Sequence, residues 1–180
     1  MKFIDSHRSV DAVIERVDGI RSAFGNSIDF GLDFHGRVST PMAHVLIKEL
    51  EPYRPLFIEE PILHEFSENF SRLAAQTSIP IATGENHFTH HDMKVFMHNK
   101  LVSNLQPDLM RGGYTELKVI ADLAHKTNIT IAPHLFMELN THLNASIKNA
   151  SWLEHMGWYN HLWEEPIIPQ NGFAIPPDKP

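Results

Sequence analysis

The spacing of acidic and histidine residues behind short apolar runs constrains this chain more than any other feature. Short β-rich apolar runs alternate with longer amphipathic runs, and each apolar run ends in a residue that can bind a metal or a proton. These residues are Asp33, Glu59, Glu85, Asp108, His134 and Glu154. The steps between them are 26, 26, 23, 26 and 20 residues, each close to one strand–helix unit. On parallel neighbouring strands, all six side chains emerge at the same end of the sheet.

The alternation predicts six helices and six strands. The helices are predicted over residues 9–24, 40–50, 66–76, 89–97, 115–125 and 139–147. The strands are predicted over residues 28–33, 55–59, 79–85, 101–106, 129–134 and 151–154. We expect one domain over residues 1–165 and an irregular tail rich in Pro and Gly over 166–180.

Alternating strands and helices, with strands apolar on both faces, predict a parallel α/β sheet. The chain has no GxGxxG after a strand and no GxxxxGK[ST], so it lacks the signatures of dinucleotide and P-loop sites. The remaining architectures are a doubly wound sheet and part of a (β/α)₈ barrel.

Charge and composition exclude several classes of binding partner and metal site. The net charge of −7 argues against nucleic acid and anionic membranes, which need clustered Lys and Arg. Because there is no cysteine, a metal must be held by oxygen or imidazole. We find no apolar run long enough to span a bilayer, and the start of the chain does not resemble a signal peptide. We therefore expect a cytoplasmic protein.

Three of the strand-end residues are carboxylates on successive strands. If Asp33, Glu59 and Glu85 converge, their charges repel strongly unless a cation compensates them. Ligands that are all oxygen favour Mg²⁺ or Mn²⁺ over zinc. The alternative is that each acid is an ordinary solvated loop residue.

The next two strand-end residues, Asp108 and His134, form a candidate base. A carboxylate on a neighbouring strand end can fix the imidazole tautomer and raise its basicity. Such a pair is suited to general-base catalysis near neutral pH. The alternative is a buried histidine that a neighbour merely satisfies.

Six short segments resemble the mandelate racemase subgroup of the enolase superfamily, over nearly the whole chain. They are Leu32-Asp-Phe-His-Gly36, Phe57-Ile-Glu-Glu-Pro61, Ala82-Thr-Gly-Glu85, Gln106-Pro-Asp108, Ala132-Pro-His-Leu-Phe136 and Trp152-Leu-Glu154. The resemblance implies part of a (β/α) TIM-type barrel of the enolase C-terminal-domain kind. It also implies Mg²⁺ held by Asp33, Glu59 and Glu85, and a base dyad of His134 with Asp108.

The same resemblance implies the roles of two further residues. Glu154 would hydrogen-bond the substrate carboxylate as it becomes an enediolate. His35 follows Asp33 by two residues, which on a strand points both side chains the same way. This Asp-x-His-Gly arrangement resembles the galactonate dehydratases, in which the matching histidine protonates the departing 3-hydroxyl. The product would be a 2-keto-3-deoxy sugar acid.

The segment from His134 to Glu154 is more similar to the racemase and to galactarate-type dehydratases, which leaves the sugar acid open. Relatives also carry an N-terminal capping domain and first barrel strands that the resemblance does not extend to. We therefore expect an incomplete enzyme whose isolated chain binds Mg²⁺ weakly at best and does not turn over. Such enzymes are expected to be homo-oligomers when full length.

Three alternatives remain at this point. An α-hydroxy-acid racemase or epimerase would use the same chemistry with a second base. A non-catalytic truncated remnant would bind only a metal or a partner subunit. An α/β domain of another type would need a different explanation for six reactive residues at successive strand ends.

Overall fold

The computed structural model describes residues 3–98 and 101–178, which alternate between helix and strand. The helices are α1 (His7–Phe24), α2 (Thr40–Leu50), α3 (Ser67–Ala74), α4 (His90–His98), α5 (Leu109–Lys126) and α6 (Met137–Ser146). The strands are β1 (Gly31–Asp33), β2 (Phe57–Glu59), β3 (Ile81–Thr83), β4 (Asn104–Leu105) and β5 (Thr130–Ile131). Two short 3₁₀ helices cover Glu51–Tyr53 and Gly157–Leu162.

The chain divides into two compact units. Unit 1 is described over residues 3–83 and 101–103, and unit 2 over residues 84–98 and 104–178. In unit 1 the strands pair in the order β1-β2-β3, and in unit 2 β4 pairs with β5. All of these pairs are parallel. The predicted α/β class with parallel strands is therefore confirmed.

The core of unit 1 follows from the apolar periodicity of its helices. Val10 and Val17, two turns apart on α1, are buried, and α1 packs against α2. On α2 the buried residues are Ala43, Leu46, Ile47 and Leu50, which recur at the same spacing. Helix α1 is capped by Gly25, whose positive φ of 57° turns the chain away while its N–H donates to the Arg21 carbonyl.

Unit 2 is built on the packing of α4 against α5. Helix α4 buries Met93, Phe96 and Met97, and α5 buries Leu117 and Ile120 among others. Helix α5 begins at Leu109, earlier than the predicted residue 115. The Gly112–Gly113 pair, where a turn is predicted, divides this helix into two segments at the non-helical Gly113, which has φ 72°, so the predicted turn and the helix after it are confirmed.

One predicted element is wrong. The strand expected over residues 151–154 is absent, and only an isolated parallel bridge joins Ala150 to Ile131. The Ile131 N–H donates to the Asn149 carbonyl, and the Ser151 N–H donates back to the Ile131 carbonyl. Further along this segment, Glu154 makes a side-chain contact in which its Oε2 accepts the Leu135 N–H. The remaining predicted strands are present but shorter, because pairing covers only two or three residues in each.

Across the described residues, no helix combines the length and apolar character that crossing a bilayer requires. The boundary between a domain at 1–165 and a tail at 166–180 stays a prediction.

Gly84 stands immediately before the candidate ligand Glu85, in a conformation that only glycine adopts readily. Its φ is 142°, and a Cβ there would lie 2.9 Å from the backbone nitrogen of Gln106. Both the φ and the close backbone approach exclude a side chain.

We expect Gly84→Ala to lower the free energy of unfolding by at least ~1–3 kcal/mol, the usual cost of one strained backbone position. The matched control is Gly19→Ala on α1, where an added Cβ meets no atom within 4 Å. That change should raise stability by ~0.5–1 kcal/mol, because alanine is the better helix former. Urea unfolding of both variants measures the change in the free energy of unfolding. An unchanged free energy in Gly84→Ala would contradict the close backbone approach described.

Candidate active site

The strand ends of unit 2 bring Asp108 and His134 into direct contact. Pairing of β4 with β5 ends at Leu105 and Ile131, and a single parallel bridge then joins Asp108 to His134. The His134 N–H donates to the Pro107 carbonyl at 3.1 Å. At this level Nδ1 of His134 lies 2.8 Å from Oδ2 of Asp108. The sequence-predicted pair is therefore side by side.

The Asp108 carboxylate is fixed from a second direction as well. It is the N-cap of α5, and its Oδ1 accepts the Met110 N–H at 2.7 Å. The residue is 7% exposed. One carboxylate thus starts a helix and holds the imidazole, so the ring is anchored to regular secondary structure rather than to a mobile loop.

Two further predicted site residues of unit 2 lie beside His134. Oε2 of Glu85 is 3.5 Å from the His134 Nε2, and both side chains are largely buried. Oε2 of Glu154 accepts the Leu135 N–H at 2.8 Å. The structure therefore gathers the carboxylates of Glu85, Asp108 and Glu154 around the His134 imidazole.

This arrangement moves the pKa of each partner in the central pair. Burial alone would raise the pKa of Asp108, but the hydrogen bonds from His134 and the Met110 N–H outweigh it and lower that pKa. Burial alone would lower the pKa of His134, but the hydrogen bond to Asp108 and the charges of Glu85 and Glu154 raise it. Because Asp108 accepts from Nδ1, the neutral ring carries its lone pair on Nε2.

The signs of these shifts define where the pair stabilises the fold. Because folding raises the pKa of His134, the protonated ring stabilises the folded state when the pH is below the pKa of the unfolded chain. This contribution is lost as the pH rises through the folded pKa. Because folding lowers the pKa of Asp108, the ionised carboxylate stabilises the folded state when the pH is above the pKa of the unfolded chain. This contribution is lost as the pH falls through the folded pKa. The pair therefore stabilises most between roughly pH 4 and pH 6.5, the two unfolded values.

In unit 1, Asp33 and Glu59 stand level at the ends of paired parallel strands. They are direct register partners of β1 and β2. Glu59 is 9% exposed, whereas the Asp33 side chain is 37% exposed. The next residue, Glu60, is buried and accepts a hydrogen bond from the Thr83 hydroxyl at 3.3 Å. Two of the three predicted metal ligands are thus adjacent.

His35 reaches Asp33 for a different reason than strand alternation. Strand β1 ends at Asp33, and His35 lies in a left-handed turn with φ 49°. Within this turn the His35 N–H donates to Oδ1 of Asp33 at 3.0 Å, and the His35 Nε2 is 3.0 Å from Oδ2. The two side chains are in contact, as expected, but the turn brings them together and not a shared strand face.

The candidate ligands fit a hard cation by their chemistry. All three donors are carboxylates, and Asp33 and Glu59 end neighbouring strands at the same level. Among the described residues of either unit, no three His, Asp or Glu side chains are grouped closely enough to share one ion. The third candidate ligand, Glu85, stays a prediction from the sequence pattern.

Sequence reasoning missed three polar residues of this site in unit 2, which are Arg111, Asn86 and Asn140. Nη2 of Arg111 donates to Oδ1 of Asn86 at 3.2 Å, and the guanidinium lies 5.1 Å from the centroid of the Phe88 ring. Arg111 also lowers the pKa of Asp108 through its charge. The third is Asn140 of α6, whose amide binds the backbone after His134. Arg111 stands three residues after Asp108, on the first turn of α5, which is the only sequence signal for it.

A family model described as "Enolase C-terminal domain-like" matches residues 1–180. The chain belongs to this family, and its parallel α/β fold is that of a partial (β/α) barrel of the enolase C-terminal-domain kind.

The relatives include enzymes named as dehydratases. The chain is 58% identical over 135 residues to a D-galactonate dehydratase of Ralstonia pickettii, covering 74% of this chain and 35% of that protein. It is 31% identical to the L-talarate dehydratase of Polaromonas sp. JS666, solved with Mg and L-glucarate, with a TM-score of 0.85. That match covers 91% of this chain and 46% of the other.

A second solved relative is a mandelate racemase/muconate lactonizing enzyme from Jannaschia sp. CCS1. It is 33% identical with a TM-score of 0.91, over 99% of this chain and 48% of that one. The chain therefore spans about a third of the curated relative and about half of each solved structure.

We expect Asp108→Asn to lower the pKa of His134 in the metal-free chain. Asparagine keeps the helix cap but removes the negative charge from the imidazole. Titration of the ring protons by NMR in the presence of a chelator measures the midpoint. Asp92→Asn is the control, since Asp92 accepts from the Thr89 N–H at the start of α4 and does not contact His134. An unmoved midpoint in Asp108→Asn would contradict the electrostatic role given to Asp108.

Proposed function

We propose that this chain supplies the proton-transfer residues and the metal ligands of a Mg²⁺-dependent sugar-acid dehydratase of the galactonate type. The observation that carries the proposal is the hydrogen-bonded Asp108–His134 pair, with the carboxylates of Glu85 and Glu154 beside it. The 58% identity to a protein named D-galactonate dehydratase supports the substrate class.

In this proposal His134 is the general base. Because its Nδ1 donates to Asp108, the lone pair lies on Nε2, and this nitrogen takes the proton from C2 of the sugar acid. Asp108 keeps the tautomer and stabilises the imidazolium that forms. Asp108 is buried and the His134 side chain is 18% exposed, which limits competition from water for the same hydrogen bond.

His35 is the proposed general acid. When the C2 proton has left, the electron pair forms the C2–C3 double bond and expels the 3-hydroxyl, which takes a proton from His35 and departs as water. The enol that remains converts to the 2-keto-3-deoxy acid. The 3.0 Å contact between the His35 Nε2 and Oδ2 of Asp33 supports this role, because it holds the imidazole beside a proposed metal ligand.

Asp33, Glu59 and Glu85 are the proposed Mg²⁺ ligands, and Glu154 is proposed to hydrogen-bond the substrate carboxylate. The level position of Asp33 and Glu59 supports the first assignment. The Mg present with L-glucarate in the talarate dehydratase supports the choice of ion. When bound, the cation supplies positive charge that stabilises the charge developing on the substrate carboxylate.

A chimera tests this function directly. We would replace the matching part of the R. pickettii D-galactonate dehydratase with this chain and assay formation of the 2-keto-3-deoxy acid from D-galactonate. We expect turnover, and we expect His35→Asn in the chimera to reduce it by on the order of 10²–10⁴-fold, the usual contribution of a general acid. The control is His142→Asn, which changes an exposed histidine of α6.

Circular dichroism and gel filtration establish that the chimera folds and assembles as its host does. A correctly assembled chimera without turnover on D-galactonate or other sugar acids would contradict the proposed function. Undiminished dehydration by His35→Asn would leave the function standing but remove His35 from it.

Calorimetry on the 180-residue chain tests the metal assignment separately. We expect weak, saturable Mg²⁺ binding that disappears in the Glu59→Gln, Glu85→Gln double variant, because each change removes a charged ligand. The control is Glu49→Gln with Glu68→Gln, two exposed acids on α2 and α3. Equal binding by the chain and by the double variant would contradict the ligand assignment.

A further inference from the structure

The backbone immediately after His134 is held in a conformation that its residues disfavour. Leu135 and Phe136 both have positive φ angles, 50° and 41°, although neither is glycine. Two consecutive left-handed residues with branched or aromatic side chains persist only where surrounding contacts determine them. Helix α6 begins directly after this turn, with Phe136 in the capping position and no side chain capping its first N–H groups.

One side chain holds this turn from inside α6. Asn140 is fully buried, and its Nδ2 donates to the carbonyls of both His134 and Leu135, at 3.2 and 2.7 Å. Both partners are acceptors, so only the NH₂ end of the amide can face them. From the opposite side, the Leu135 N–H donates to Glu154.

The result is a clamp on both sides of the His134 α-carbon. On the amino side, its N–H is bound to the Pro107 carbonyl. On the carboxyl side, its own carbonyl and the next one are bound to Asn140. With the backbone fixed, the ring has only its side-chain torsions to adjust, and the hydrogen bond to Asp108 sets those.

We propose that Asn140 is a positioning residue for the His134 base: its amide pins the left-handed turn and thereby aims the imidazole so that Nδ1 meets Asp108 and Nε2 stays available. This rests on the proposed function only for the chemical use of Nε2. The clamp itself is a property of the folded chain and is measurable without substrate or metal.

A positioning role and a merely structural role make different predictions. If Asn140 only stabilised unit 2, its removal would lower the free energy of unfolding and leave the folded ring unchanged. If it positions His134, the ring changes while the rest of the unit keeps its fold. The tautomer is the readout that separates the two, since Asp108 enforces it only when the ring is correctly aimed.

The experiment compares the labelled wild-type chain, Asn140→Ala and the matched control Asn149→Ala by NMR, at one fixed pH at which the ring is neutral. Asn149 also donates from Nδ2 to two backbone carbonyls, those of Ala121 and Ile129, at 3.2 and 2.9 Å, but does not touch the turn. The ¹⁵N shifts of the two ring nitrogens report the tautomer. Amide hydrogen exchange at Leu135 reports the turn.

In Asn140→Ala we expect the ring nitrogens to shift toward a mixture of tautomers. We also expect the Leu135 amide to exchange about tenfold faster or more, because two carbonyls lose a buried donor. Asn149→Ala should leave both readouts at their wild-type values. A folded Asn140→Ala chain with the wild-type tautomer would overturn the proposal, as would equal effects from the two variants.

Two further measurements apply if Asn140→Ala does not fold. Asn140→Ser keeps a small polar side chain that is too short to reach both carbonyls, and it should show the same tautomer mixture. In the wild-type chain, the carboxamide protons of Asn140 should exchange at least as slowly as those of Asn149. Fast exchange of the Asn140 carboxamide would overturn the clamp. None of these readouts depends on turnover, so failure of the proposed function and failure of the clamp are distinguishable.

Discussion

The hydrogen bond between Asp108 and His134 is the interaction around which the candidate site of unit 2 is organised. It joins the ends of two paired parallel strands, and the same carboxylate begins α5. A buried carboxylate is costly unless its oxygens are bound, and here the imidazole and the Met110 N–H bind one each. The proposed base and the start of the helix therefore both depend on a single side chain, Asp108.

The surrounding backbone shows how much unusual geometry the site requires. Gly84 takes a φ of 142° next to Gln106, directly before Glu85, and Leu135 and Phe136 take left-handed angles directly after His134. Strained positions of this kind concentrate at functional sites, where neighbouring structure must hold them. In unit 2 the holding groups are Asn140 and Glu154, one on α6 and one beyond it.

The sequence predicted those parts of the structure that depend on periodicity. Strand–helix order, parallel pairing and the contact of Asp108 with His134 follow because equivalent strand ends meet at one edge of a parallel sheet. The strand at 151–154 failed because β-rich composition does not reveal where pairing stops. The Gly-Gly turn is present as the kink at Gly113, but the helical segment before it was not predicted, because its cap depends on the Met110 N–H that the fold brings to Asp108. The turn at Leu135 and the amide of Asn140 carry no local signal, since a long-range contact imposes the conformation.

The central claim is that His134 removes the C2 proton of a sugar acid. The most direct test is proton NMR of D-galactonate in D₂O with the chimera that carries His35→Asn, in which elimination is blocked after proton transfer. With His134 present, the account predicts that the C2 proton signal decays as solvent deuterium replaces it. With His134→Asn added, the signal should persist. Loss of the C2 proton at the same rate in both proteins would contradict the account, because the base would then be another group.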